Sequence, residues 1–80
     1  MTQFTIGRAA KAANVNVETI RFYERKGLIE QPPKPAGGGV RKYDGKTFSR
    51  ICFVRQAQEV GFSLREIGEL LSLRADPNAD

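Results

Sequence analysis

The sequence predicts a mainly helical domain, four helices with one small β-hairpin, and three observations carry that expectation. Apolar residues recur at helical spacing in four stretches, each opened by a residue suited to capping. Residues 30–39 hold three prolines and three glycines, which excludes helix there. The chain has 80 residues, 40% of them hydrophobic and 28% charged, enough for one modest core and too apolar for a disordered segment.

The elements follow in order. Thr5 is a good N-cap, and Ile6, Ala9, Ala10 and Ala13 behind it share one helical face. Asn14-Val15-Asn16 makes a tight turn, with Asn16 as N-cap of a second helix from Val17 to Lys26. Gly27 ends it as a left-handed cap residue, followed by Leu28 as an apolar contact. Two short helices joined by so short a turn form a helix-turn-helix unit. A strand near Ile29–Gln31, a Gly-rich tip and a strand at Val40–Tyr43 are expected to pair as a hairpin, or wing; the alternative is a flexible linker between two helical pairs. Asp44 caps a third helix from Gly45 to Val60, stopped by Gly61, with Phe48, Ile51, Cys52, Val54, Ala57 and Val60 as its apolar set. Ser63 and Glu66 form a capping box that opens a fourth helix, with Leu64, Ile67, Leu70 and Leu71 inward and Asp76-Pro77-Asn78 as its end. The fold class is a winged helix-turn-helix. Residues 1–75 form the domain, and 76–80 are a tail at the start of a further linker or dimerisation helix.

Charge narrows the function. Net charge is +4, but residues 1–55 carry 11 Lys/Arg against 4 Asp/Glu, whereas residues 56–80 carry 2 against 5. A basic part with an acidic tail suits a polyanionic partner for the first part only; a solvated surface with a chance imbalance is the bland alternative. Catalysis has little support. The chain has no histidine, and Gly37-Gly38-Gly39 lacks the Lys-Ser/Thr of a phosphate loop. The single cysteine, Cys52, reads as a core thiol and supplies no metal site by itself. No apolar run approaches the ~20 residues of a membrane span, and no signal peptide is recognisable, so the expected location is the cytoplasm without membrane contact.

The second helix holds the informative residues. Glu18, Arg21, Phe22 and Arg25 fall at i, i+3, i+4 and i+7 and share one face, while Ile20 and Tyr23 point to the core. Arginine can make bidentate contacts with guanine edges or phosphates, and an aromatic ring can pack on sugars or the thymine methyl. Pairing with Glu18 competes with that reading for the arginines, and contact with the wing competes for Phe22. Tyr23 and Tyr43 can each bury a ring and offer a hydroxyl to a phosphate. Arg41 and Lys42 alternate, so one faces the partner and the other solvent. The N-termini of the first two helices, at Thr5 and Asn16, can hold phosphates by backbone amides.

These segments resemble the MerR family of transcription regulators. The resemblance rests on Thr5-Ile6-Gly7, Ala12-Ala13, the run from Val17 to Ile29, Arg41-Lys42-Tyr43, and Gly61 through Ile67. Residues 14–23 are most similar to the mercury-resistance members. The resemblance implies sequence-specific binding of double-stranded promoter DNA, which a homodimer bends and untwists so that RNA polymerase engages both promoter elements, an indirect partnership. It implies DNA contacts at Thr5, Asn16, Val17, Glu18, Thr19, Arg21, Phe22, Tyr23, Arg25, Arg41, Lys42 and Tyr43. Family members continue into a long dimerisation helix and an effector site. A metal effector, mercury being the first candidate, is therefore expected only in a part beyond these residues, with no cofactor in this chain and a monomer as its own state. The mercury-type cysteines are absent. An excisionase-like architectural protein that bends DNA without an effector is the alternative, and a protein-interaction module built on the acidic fourth helix is a third reading.

Overall fold

Each helix begins at the cap the sequence offers. The computed structural model describes residues 3–75, in the order β1 (Gln3–Phe4), α1 (Ile6–Ala13), α2 (Val17–Arg25), β2 (Tyr43–Asp44), α3 (Gly45–Val60) and α4 (Leu64–Ala75). The side chains of Thr5, Asn16 and Asp44 accept hydrogen bonds from the backbone N–H groups of Arg8, Thr19 and Thr47, at 3.3, 2.8 and 2.8 Å. Each satisfies one of the donors that a helix start leaves unpaired. The Thr47 bonds hold the Asp44 carboxyl below its ordinary range. At α4 the capping box is reciprocal: Glu66 N–H donates to Ser63 Oγ at 3.1 Å, and Ser63 N–H donates to Glu66 Oε1 at 2.9 Å.

The first three helices end alike. Asn14, Gly27 and Gly61 adopt φ of 61°, 75° and 116°. The next residue in each case, Val15, Leu28 and Phe62, donates its N–H back to the carbonyls of Ala10, Tyr23 and Ala57 at 2.9, 2.9 and 3.0 Å. This left-handed stop turns the chain sharply while pairing the last carbonyls. At Gly61 an added Cβ would meet nothing within 4 Å, so substitution there is penalised by backbone conformation alone. Gly61→Ala is expected to lower unfolding stability by about 1–2 kcal/mol, read as a lower urea midpoint with an unchanged slope.

The core is shared by all four helices. Ala9, Ala10 and Ala13 of α1, Ile20 and Tyr23 of α2, Ile51, Val54 and Ala57 of α3, and Ile67 and Leu71 of α4 are buried, with Leu28, Ile29 and Tyr43 between them. The three alanines let α1 lie close against α2 and α3, and α3 carries α4 further along. Cys52 is a free thiol, half-buried among the side chains packed on this core. Val60, expected inside, is 77% exposed, because it lies in the turn beyond Ala57, the last buried residue of α3. The predicted end of α4 at Asp76-Pro77-Asn78 falls outside the described residues.

The sheet differs from expectation. It is antiparallel and two-stranded, but β2 pairs with β1, in the register Gln3 with Asp44 and Phe4 with Tyr43. Neither Ile29–Gln31 nor Val40–Lys42 is a strand. Two causes are visible. Pro32 and Pro33 follow at once and have no N–H to give a ladder. Phe4 packs on Phe48, ring centroids 4.8 Å apart, which draws residues 3–4 alongside the start of α3. The wing is thus a closed loop. Arg41 Nε donates to the Pro32 carbonyl at 2.8 Å across its base, and Gly38 N–H donates to the Pro35 carbonyl at 3.0 Å near its tip.

Candidate nucleic-acid interface

Helix α2 points Glu18, Arg21 and Arg25 outward while Ile20 and Tyr23 enter the core. Arg21 and Glu18 form an ion pair at 4.0 Å, yet the Arg21 side chain remains 51% exposed. An exposed pair of this kind is weak, so the guanidinium is available to a better anion. Phe22 is half-buried and packs on the core instead of standing on the solvent face, with Lys26 Nζ 5.7 Å from its ring centroid. Its ring thus has both core packing and a cation beside it.

The expected sites do not all come together. Thr5, Arg21, Arg41 and Tyr43 come together, with Ile6, Gln31, Gly39 and Val40, around a hollow of about 290 Å³ between the start of α1, α2 and the wing. Arg21 and Gln31 also line a second hollow of about 270 Å³ with Glu24 and Arg25. Lys42 lies away from this hollow, beside Gln3, Glu30 and Asp44. Asn16 and Thr19 stand apart, next to Arg55 and Gln58. The Thr19 hydroxyl donates to Asn16 Oδ1 at 2.9 Å, so these two side chains mainly serve the cap. Val17 is half-buried against the core.

Both tyrosine hydroxyls have partners within the fold. Tyr23 is buried and its hydroxyl donates to Gln58 Oε1 at 2.7 Å. Tyr43 is buried and its hydroxyl donates to Glu24 Oε2. Each hydroxyl hydrogen is thus engaged by a carbonyl or carboxylate oxygen of the fold. Burial raises both phenols, and Glu24 raises Tyr43 further, so both remain donors at neutral pH. Glu24, Gln31 and Lys26 were not anticipated. For Glu24 the signal was present, since it lies three residues after Arg21 on the same helix face.

With this geometry in place, comparison with known proteins settles the family. The model of the MerR HTH family of regulatory proteins matches residues 4–73. The chain belongs to the MerR HTH family. Among MerR-type relatives, it is 56% identical over 73 residues to the mercuric resistance operon regulatory protein of Serratia marcescens, covering 91% of this chain and 50% of that one. It is 43% identical over 74 residues to the transcriptional regulator ZntR of Escherichia coli K12, covering 92% and 52%. The chain thus spans about half the length of the curated relatives it matches. The lead(II)-bound regulator PbrR691 of Ralstonia metallidurans superposes with a TM-score of 0.84 at 36% identity, over 96% of this chain and 59% of that one. HiNmlR, a MerR family regulator lacking the sensor domain and bound to promoter DNA, shares the fold with a TM-score of 0.80 at 22% identity, over 92% and 55%. These relatives are transcription regulators by name. Among the described residues no helix is long and apolar enough to cross a membrane.

Proposed function

We propose that this chain is the DNA-reading part of a MerR-type transcription regulator, binding double-stranded promoter DNA with α2 in the major groove and the wing beside it. The observation that carries the reading is the exposed pair Arg21 and Arg25 on one face of the second helix of a helix-turn-helix, flanked by Arg41 at the wing's base. Family membership supports it, as does a relative of the same fold bound to promoter DNA. Arg21 is assigned to base edges, and Arg25, Lys26 and Arg41 to phosphates. A two-fold dimer on a pseudo-palindromic site, contacting RNA polymerase only through the promoter, belongs to the same proposal. The excisionase-like alternative gains no support from the comparisons.

Among the described residues no group of three or more His, Cys, Asp or Glu side chains could hold a metal ion. Mercury is the candidate suggested by the mercuric resistance relatives, and its ligands would lie elsewhere.

The test is a titration of a labelled duplex, selected by the chain from a random pool, at several salt concentrations. A slope of log K against log salt between about −3 and −6 is expected from the exposed cations of this face. Failure to enrich any duplex, or affinity indifferent to salt, would sink the reading.

A further inference from the structure

Besides Glu18, which pairs with Arg21, the interface places a second carboxylate, Glu24, among its arginines. It is half-buried, three residues from Arg21 and adjacent to Arg25, and shares a hollow with both. A negative charge there opposes the approach of a polyanion. Its hydrogen bond indicates what offsets that cost. Glu24 accepts from the Tyr43 hydroxyl, and Tyr43 stands in β2, directly after the wing loop. Residues 33–40 of that loop are all exposed, so the loop has little packing of its own to orient it. Two residues before Tyr43, Arg41 ties the loop's far arm to Pro32. A continuous path therefore runs from α2 through Glu24 and Tyr43 to the closed base of the wing.

We propose that Glu24 is a positioning residue: its carboxylate holds Tyr43, and with it the wing, in a fixed attitude to Arg21 and Arg25, so that both DNA-contacting parts are pre-organised. A hydrogen bond to an ionised carboxylate is stronger than a neutral one, and Tyr43 is buried where the bond is shielded from water. Holding the wing before contact removes part of the ordering cost from binding. The proposal rests on the DNA-binding reading above for its functional consequence, while the contact itself does not.

The experiment is a double-mutant cycle on the 80-residue chain, using the selected duplex as probe. Glu24→Ala and Tyr43→Phe should each weaken binding about tenfold, the share of a hydrogen bond to a charged group. The double variant should be no weaker than either single one, because both remove one interaction. Glu24→Gln retains a neutral acceptor and should bind more weakly than the parent but more tightly than Glu24→Ala. The salt slope should stay unchanged in all four, since no phosphate contact is lost. Without DNA, amide exchange at residues 37–42 should quicken in Glu24→Ala, while Ile51 and Val54 in α3 keep their protection. Losses that multiply in the double variant, or a Tyr43→Phe salt slope reduced by about one phosphate, would place the hydroxyl on DNA and overturn the proposal. So would a Glu24→Ala chain with parental binding and parental wing exchange. If the parent enriches no duplex, the DNA reading falls, and the exchange measurement still decides whether Glu24 holds the wing.

Discussion

Arg21→Ala is expected to weaken binding to the selected duplex by about 1–3 kcal/mol, on the order of 5- to 150-fold, with almost no change in stability. The separation follows from geometry. Arg21 is half exposed, and its partner Glu18 sits 4.0 Å away on the surface, so removing the pair subtracts little from the fold. Its position between two hollows, one shared with Thr5 and Arg41 and the other with Glu24 and Arg25, makes it the centre of the proposed contact surface. Arg21→Lys distinguishes the kind of contact. Lysine keeps the charge but lacks the planar fork, so a bidentate base contact is lost while attraction to phosphate survives. Lysine should therefore flatten discrimination between the selected duplex and a scrambled one more than it lowers total affinity. Equal, small losses for both variants on both duplexes would remove Arg21 from base reading.

Ile51→Ala is expected to have the largest effect on the fold. Ile51 is fully buried in α3, the helix that packs against α1, α4 and β2. Truncating such a side chain costs about 2–5 kcal/mol from lost burial and the cavity left behind. A domain of this length has only about 4–12 kcal/mol in total. The variant should lose a large part of its urea midpoint, and part of the population should be unfolded at 37 °C by circular dichroism. Adding the duplex should restore folded signal in proportion to its concentration, because a ligand that binds only the native state stabilises it by mass action. A midpoint within about 0.5 kcal/mol of the parent would mean that the neighbouring helices collapse onto the site.

The helices were legible because their ends are written locally. Thr5, Asn16, Asp44 and Ser63 cap within three residues of themselves, and Asn14, Gly27 and Gly61 turn the chain where they stand. The wing's strands were not legible in the same way. A two-residue strand has no periodicity, and β1 is set by Phe4 meeting Phe48, a contact 44 positions distant in sequence. The interface was half legible. Helical spacing placed Arg21 and Arg25 on one exposed face, but it could not assign the tyrosine hydroxyls, whose partners lie 35 and 19 residues away. An amphipathic ring reads the same whether its polar tip ends at a phosphate or at a glutamine. Phe22 stands on a charged face by helical spacing, yet its ring reaches the core edge from a helix only nine residues long.

The pair of tyrosine hydrogen bonds has a mechanical consequence. Tyr23 and Glu24 are consecutive on α2, so their side chains leave the helix about 100° apart. One is tethered to Gln58 near the end of α3, and the other to Tyr43 just before α3 begins. A single tether would leave a short helix free to roll about its own axis. Two tethers in different directions remove that freedom and fix which side chains α2 turns outward, as two stays fix the rotation of a mast.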